Sequence, residues 1–255
     1  MRLENKIALV TGGGQGIGKE IAKTLAKQGA FVLINYLDLG NNQEIAQKTQ
    51  QEIEEFGGKC ALISANVASY QETEEMFKII KKEYGRLDIL INNAGVLDKG
   101  LNAIDQIDYD DLNRVIDINQ KGTMYCMSEA LKVMKSGASI VNISSVAGQY
   151  GAGGAVYVST KAAIIGVTKH AAMRFAKEKI RCNVICPGSI TTDMAAGLTP
   201  DTMDMKMMGA MSAHSDLTLQ PCSPLDVAKV ALFLASDDAA PLTGQVVVSD
   251  YGVDL

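Results

Sequence analysis

Short apolar runs of strand length alternate along this chain with stretches of helical period, and that alternation restricts the fold more than any other feature. Ile7–Thr11 reads IALVT, Phe31–Asn35 FVLIN, Ile89–Asn92 ILIN, Ser139–Ile143 SIVNI, Arg181–Ile185 RCNVI and Gln245–Ser249 QVVVS, with a shorter run at Cys60–Ser64. Between them lie the helical stretches Gly18–Gln28, Glu44–Phe56, Glu72–Tyr84, Tyr109–Met134 and Val158–Lys177. In the first, Ile21, Ala22, Leu25 and Ala26 share one helical face. Strands apolar at nearly every position are covered on both sides. The pattern therefore predicts an α/β protein, a doubly wound parallel sheet with helices on both faces. Residues 1–255 suit a single domain, since such sheets reach about 250 residues as one unit. Ligands of such sheets lie beyond the carboxyl ends of the strands.

Charge and composition narrow the function. With 24 Lys+Arg against 29 Asp+Glu the net charge is −5, which argues against a nucleic-acid partner and against an anionic membrane surface. No apolar run approaches the roughly 20 residues that span a bilayer. The opening residues Met-Arg-Leu-Glu-Asn-Lys lead straight into a strand with no apolar targeting segment. Five cysteines without a CxxC pair read as reduced thiols, so a cytoplasmic location is expected. His170 and His214 have no second ligand at metal spacing, and no metal site is expected. Cys182 and Cys186 read as core, and Asp88 as a hydrogen-bonding residue at a strand start. Neither a GxSxG elbow nor a Gly-Lys-Ser/Thr loop is present, which disfavours hydrolases and P-loop NTPases.

The first strand runs into Thr11-Gly12-Gly13-Gly14-Gln15-Gly16-Ile17-Gly18 and then a helix. A backbone that turns tightly, meets a pyrophosphate closely and opens a helix toward it needs glycine at such positions. Gly12, Gly16 and Gly18 are the candidates; an ordinary glycine-rich turn is the alternative. Farther along, Tyr157 and Lys161 stand four residues apart on one helix face. An ammonium beside a phenol favours the phenolate and is expected to lower its pKa from about 10, making a general acid/base for an alcohol/carbonyl pair. A serine from the preceding strand end can hold the carbonyl oxygen against it. Taken alone, the pair also fits an ordinary surface contact.

The flanking motifs decide between these. TGGGQGIG is similar to TGxxxGxG, Asn92-Asn93-Ala94-Gly95 to NNAG, and Tyr157–Lys161 to YxxxK, with Asn142-Ile143-Ser144-Ser145 upstream. Pro187-Gly188-Ser189-Ile190-Thr191-Thr192 is similar to a PGxxxT segment that closes on nicotinamide. With these motifs in this order over nearly its whole length, the chain resembles the short-chain dehydrogenase/reductase family. The resemblance implies a Rossmann-like fold and a secondary alcohol/ketone oxidoreductase with a nicotinamide cofactor. It implies that Lys161 also binds the nicotinamide ribose and that Asn119, in Asp-Ile-Asn-Gln-Lys-Gly, joins a proton relay. Cofactor contacts are expected at Gly12, Gln15, Gly16, Ile17, Gly18, Asp38, Asn66, Val67, Asn93, Ala94, Gly95, Tyr157, Lys161, Pro187, Gly188, Ile190 and Thr192.

Departures from the family pattern sharpen the reading. The usual spacing of 13 residues before the tyrosine selects Ser144, whereas the Ser-Val-Ala-Gly register selects Ser145, 12 before it. Ser145 is preferred as the catalytic serine. Asn66 stands where an Asp commonly meets adenine, and its side-chain carbonyl can serve instead. Asp250-Tyr251-Gly252 replaces DGG. The acidic slot after the second strand holds Tyr36, Asp38 follows, and no Lys or Arg occurs from Gln28 to Gln47. A 2′-phosphate would find no cation there, so NAD is expected, with NADP not excluded. Met194–Leu219 holds six methionines and no strand pattern, and reads as an adaptable apolar substrate lid. It favours a bulky apolar substrate such as a hydroxysteroid. The rivals are an NADPH-linked 3-oxoacyl thioester reductase and a non-catalytic dinucleotide sensor. The two longest helical stretches look apolar on more than one stripe, with Met124, Met127, Ala130, Leu131 and Met134 in the first. A subunit partner is expected, and the resemblance implies a homotetramer.

Overall fold

The computed structural model describes residues 1–190, 203–216 and 218–254. Seven parallel strands lie in the order β3-β2-β1-β4-β5-β6-β7. They are β1 (Ile7–Val10), β2 (Phe31–Tyr36), β3 (Lys59–Ser64), β4 (Leu87–Asn92), β5 (Met134–Ile143), β6 (Arg181–Pro187) and β7 (Val246–Ser249). The winding reverses at β1, which pairs with β2 on one side and β4 on the other. A crevice opens at the carboxyl ends of strands at such a reversal.

Helices cover both faces, as expected. On one side α1 (Gly16–Lys27), α2 (Asn42–Glu55) and α9 (Pro224–Ala235) bury Ile21, Leu25, Ile53, Val227 and Leu234 against the sheet. On the other, α3 (Tyr70–Tyr84), α5 (Gly122–Leu131) and α7 (Ala155–Phe175) bury Phe77, Met127 and Ala171. The remaining helices are α4 (Tyr109–Val115), α6 (Ala147–Tyr150) and α8 (Met205–Ser212). Asp88 accepts the Ile7 amide at 2.8 Å, joining the starts of β1 and β4.

Three features differ from the pattern reading. Tyr109–Met134 is not one helix: a π-helical turn at Ile116–Lys121 separates α4 from α5, and Met134 opens β5. Helix α9 has no counterpart in the sequence reading; it opens on a reciprocal cap, where Ser223 accepts from the Asp226 amide and Asp226 accepts from the Ser223 amide. The apolar excess near α5 is also smaller than it looks. Met127, Ala130 and Met134 are buried in the chain's own core beneath α3, and Met124 alone of the five stays exposed. Those residues therefore call for no subunit partner. Among the described residues, no helix is long and apolar enough to cross a membrane.

Candidate active site

At the β1–α1 turn the glycines are required by contact. Gly12 and Gly16 have φ of +60° and +54°, the left-handed region that glycine adopts without strain. A Cβ on Gly18 would lie inside the Gly12 carbonyl oxygen and 2.5 Å from Asn93 Nδ2. Asn93 Nδ2 donates to the Thr11 and Gly12 carbonyls at 3.0 and 3.1 Å. Thr11 Oγ1 accepts the Asn93 and Ala94 amides, both at 3.0 Å. The loop is thereby tied to the end of β4.

Asn35, near the end of β2, secures it from the other side. Its Oδ1 accepts the Gly12 amide at 3.3 Å, and its Nδ2 donates to the Ala65 carbonyl at 3.1 Å. Sequence reading missed Asn35 and Thr11; the available signal was a polar residue at the end of an apolar strand. Gln15 makes no side-chain cap at the start of α1, and no acid stands in that helix's first turn. Narrow glycine contacts beside an uncapped helix start fit a dinucleotide pyrophosphate. Ile17 packs against the core behind this turn.

Two expected cofactor positions are more constrained than the sequence implied. Asn66 Oδ1 already accepts the Ala68 amide at 3.0 Å, so the carbonyl offered to adenine is engaged locally. Val67 is pressed against the start of α5, where a Cβ on Gly122 would come within 3.0 Å of its Cγ2. Asp38 is exposed on the turn after β2.

The crevice brings Asn119, Ser145, Tyr157 and Lys161 together. Lys161 is 4% exposed, donates from Nζ to the Ile143 carbonyl at 3.0 Å, and lies 5.4 Å from the Tyr157 ring centroid. Gly95 lets two elements converge: a Cβ there would be 3.3 Å from Asn119 Oδ1 and 3.5 Å from Lys161 Nζ. Asn119 sits in the π-helical turn. Its Oδ1 accepts the Val96 amide at 2.8 Å, and its Nδ2 donates to the Val96 carbonyl at 2.9 Å and Thr160 Oγ1 at 3.2 Å.

The two serines separate clearly. Ser144 is buried and donates from Oγ to the Lys161 carbonyl at 2.7 Å, a bond that fastens β5 to α7. Ser145 is half-buried, accepts the Ala147 amide at 3.1 Å, and its hydroxyl faces the Tyr157 phenol.

The expected lowering of the phenol by Lys161 is not found. Burial pushes Tyr157 up to about 12; the Ser145 hydroxyl pulls it down, while Asp98 adds to the rise. The same burial pushes Lys161 down to about 8. Desolvation disfavours the charged form of both groups, and here it outweighs the attraction between an ammonium and a phenolate.

The far wall is built from the chain's last residues. A Cβ on Gly188 would be 2.5 Å from Asp250 Cβ, so Pro187-Gly188 is seated on the Asp250 turn. Asp250, which the chain shares with DGG, accepts the Gly252 and Asp254 amides at 2.9 and 3.1 Å, while Tyr251, the residue that departs from it, is exposed. Ile190 pairs with Cys222. Thr192 and Met194 lie outside the described residues. Of the Met-rich stretch, α8 is described. Met207, Met208 and Met211 are half-buried on it, Asp204 caps it, and the Asp204 amide donates to the Gly100 carbonyl at 2.9 Å. Beyond α8, the Asp216 amide donates to the Val253 carbonyl at 2.8 Å.

Known proteins resemble the whole chain. A family model described as enoyl-(acyl carrier protein) reductase matches residues 12–254. A 3beta-hydroxysteroid dehydrogenase of Mediterraneibacter gnavus is 36% identical over 98% of this chain and 95% of its own length. A 3-oxoacyl-(acyl-carrier-protein) reductase of Staphylococcus epidermidis is 38% identical over 98% of this chain and 99% of its own. Among solved structures, a blue fluorescent protein from a metagenomic library, in complex with NADPH, superposes with a TM-score of 0.87 at 30% identity, covering 99% of both chains.

Proposed function

The chain belongs to the short-chain dehydrogenase/reductase family of oxidoreductases, and from that premise we propose that it interconverts a bulky apolar secondary alcohol, such as a hydroxysteroid, with its ketone, using NAD. The observation that carries the chemistry is the convergence of Ser145, Tyr157, Lys161 and Asn119 beside the glycine cradle. When bound, the nicotinamide supplies or accepts the hydride.

The chain's own residues handle the oxygen and its proton. Ser145 Oγ–H orients the substrate oxygen toward Tyr157. A phenol held near 12 keeps its proton across physiological pH, so Tyr157 stands ready to donate it to a carbonyl oxygen that gains charge. In the reverse direction the same oxygen must first lose its proton. Lys161, buried and anchored on Ile143, favours that loss whenever it carries charge, and holds the ribose. Asn119 keeps the backbone at Val96 beside Lys161, where it supports the relay. The cofactor is held by Gly12, Gln15, Gly16, Ile17 and Gly18 at the pyrophosphate. Asp38 and Val67 would hold the adenosine, and Asn66 Oδ1, which already accepts the Ala68 amide, has one lone pair left for it. Asn93, Ala94, Gly95, Tyr157, Lys161, Pro187, Gly188 and Ile190 would hold the cofactor's nicotinamide end.

Substrate and cofactor choice rest on two observations. The half-buried methionines of α8 offer a conformable apolar face, with Lys206 exposed as that helix's one cation. Lys19 and Lys23, the cations nearest the glycine turn in sequence, are both ion-paired to Glu52 on α2. A 2′-phosphate would have to compete for them. A 3-oxoacyl thioester reductase using NADPH is the rival reading, supported by the relative of that name. One assay separates them: kcat/KM for hydroxysteroid oxidation, ketosteroid reduction and 3-oxoacyl thioester reduction, each with both cofactors. Steroid turnover with NAD(H) is expected; faster thioester reduction with NADPH overturns the reading.

A further inference from the structure

A buried acid outside this chemistry sits against the start of the helix that carries Tyr157. Asp98, in the segment between β4 and α4, is 2% exposed. Neither of its carboxyl oxygens has a hydrogen-bond partner of good geometry. A carboxylate withdrawn from water without a partner is costly, so its placement needs a cause.

Its surroundings supply one. Helix α7 begins after Gly154, which cannot cap it with a side chain, and its first turn contains no acid. A Cβ on Gly154 would lie inside the Asp98 carboxyl group. Gly154 has φ −63°, so glycine is needed there for the approach rather than for the backbone. Burial, with Asp111 behind it, pushes the carboxyl above its ordinary range, and the backbone amides of Asp98, Tyr157 and Val156 act against that rise by favouring its charged form. Asp98 thus occupies the positive end of α7 from a separate element.

It is also clamped there. On one flank, Arg114 Nη2 donates to the Leu97 carbonyl at 2.7 Å. On the other, Asp111 Oδ2 accepts the Lys99 amide at 2.6 Å. Asp111 and Arg114 pair with each other across one turn of α4 at 2.7 Å. The same segment is bonded to Asn119 through Val96 and to α7 through the Asn102 carbonyl, which accepts the Ala155 amide at 2.9 Å.

We propose that Asp98 is a positioning residue for the reaction: held by the Asp111–Arg114 pair, its carboxylate anchors the amino terminus of α7 and sets where the Tyr157 hydroxyl stands against Ser145. The proposal rests on the reading of Tyr157 as the proton donor. The titratable groups acting on Asp98 are Asp111 of α4 and the Tyr157 phenol of α7; Arg114 reaches it through Asp111 and the Leu97 carbonyl.

Three variants test it, with Tyr157→Phe as control. Asp98→Ala is expected to lower kcat by up to about 10²-fold, as a misplaced reacting group does, with the KM for cofactor held. Asp98→Asn keeps the shape and removes a charge that adds to burial in raising the phenol, so its alcohol-oxidation rate is expected to rise at lower pH than wild type. Purely structural damage would not move that limb. Gly154→Ala pushes the carboxyl away and should mimic Asp98→Ala. In an Asp98→Ala background it should cost little more, because the colliding group is gone. Multiplicative losses in the double variant, or a pH limb unmoved in Asp98→Asn, overturn the proposal. If Asp98→Ala does not fold, the limb of Asp98→Asn and the activity of Gly154→Ala decide alone. A Tyr157→Phe enzyme that turns over normally sinks the tyrosine reading instead, so the two failures are distinguishable.

Discussion

Helices α1 and α7 both begin without a cap of their own, and the two ends are completed in opposite ways. α9 shows the self-sufficient alternative, with Ser223 and Asp226 capping reciprocally. At α1, Gln15 offers nothing and the first turn carries no acid. Glycines hold the neighbouring backbone close and leave no side chain over the helix start. At α7, Gly154 likewise offers nothing, but a glycine's missing Cβ admits the carboxyl of Asp98. One helix end fits an anion arriving from solution; the other is filled by an anion of the protein. Positive ends of helices attract whichever negative group can reach them. In this fold the difference lies in what the adjoining glycine lets in, and under the proposed function it divides the crevice into a cofactor half and a catalytic half.

The largest expected effects separate those halves. Tyr157→Phe removes one oxygen at the catalytic end and is expected to lower kcat about 10²–10⁴-fold while cofactor binding, followed by fluorescence titration, stays unchanged. Gly18→Ala should do the reverse. Its new Cβ collides with the Gly12 carbonyl, and overpacking of this kind costs about 1–3 kcal/mol, read as weakened cofactor binding and a lowered Tm. If Tyr157→Phe loses cofactor as badly as Gly18→Ala, the division is wrong. The serines extend the test. Ser145→Ala should fall with the tyrosine variant, whereas Ser144→Ala gives up one buried bond worth about 1 kcal/mol of stability and keeps most of its turnover.

How much of this was readable in the chain follows from the range of each interaction. The glycine turn and the Tyr157–Lys161 pair are local patterns, legible at spacings of two to four residues. The seven strands were legible because a strand buried on both faces is apolar at nearly every position. Asn35 was not, since its donor and acceptor partners are Gly12 and Ala65, far along the chain. Nothing in the sequence singles out Asp98, because what makes it unusual is a helix that begins more than fifty residues later. The π-helical turn and the true start of β5 were hidden within one continuous helical pattern. The titration of the phenol was misjudged for a similar reason: spacing places an ammonium beside it, but only the fold shows that burial acts on both groups.

That burial gives the catalytic half a pH signature that the cofactor half lacks. Alcohol oxidation needs the phenolate, which is scarce below a pKa of about 12. Oxidation rate is therefore expected to climb with rising pH across the mildly alkaline range, while ketone reduction stays level or declines. Cofactor affinity over the same range should change little. A neutral optimum for oxidation would show that the phenol is not held as high as its burial implies. A smaller effect is expected from Asn35→Ala on the cofactor side. It unties the glycine turn from β2 and β3 and should cost about 1–3 kcal/mol, seen as a lower Tm and a raised cofactor KM with kcat retained.

The smallest effect probes whether the cofactor half discriminates by charge. The turn after β2, Leu37-Asp38-Leu39-Gly40, carries one negative charge and no positive one. Gln15, at the start of α1, can donate only a neutral hydrogen bond. Lys19 and Lys23 are committed to Glu52, whose carboxyl they hold below the usual range, Lys19 foremost. A charged hydrogen bond exceeds a neutral one by about 1 kcal/mol, roughly a fivefold change in a binding ratio. Asp38→Ala combined with Gln15→Arg is therefore expected to move the NADP/NAD ratio of kcat/KM toward NADP by about fivefold to tenfold, with kcat for NAD little altered. Glu52→Gln, which releases both lysines, should shift it the same way by less, because they stand on α1 beyond the turn itself. A wild-type enzyme that already prefers NADPH would mean that the ribose is read by residues other than these. The open end of α1 would then select for a phosphate without selecting which dinucleotide carries it.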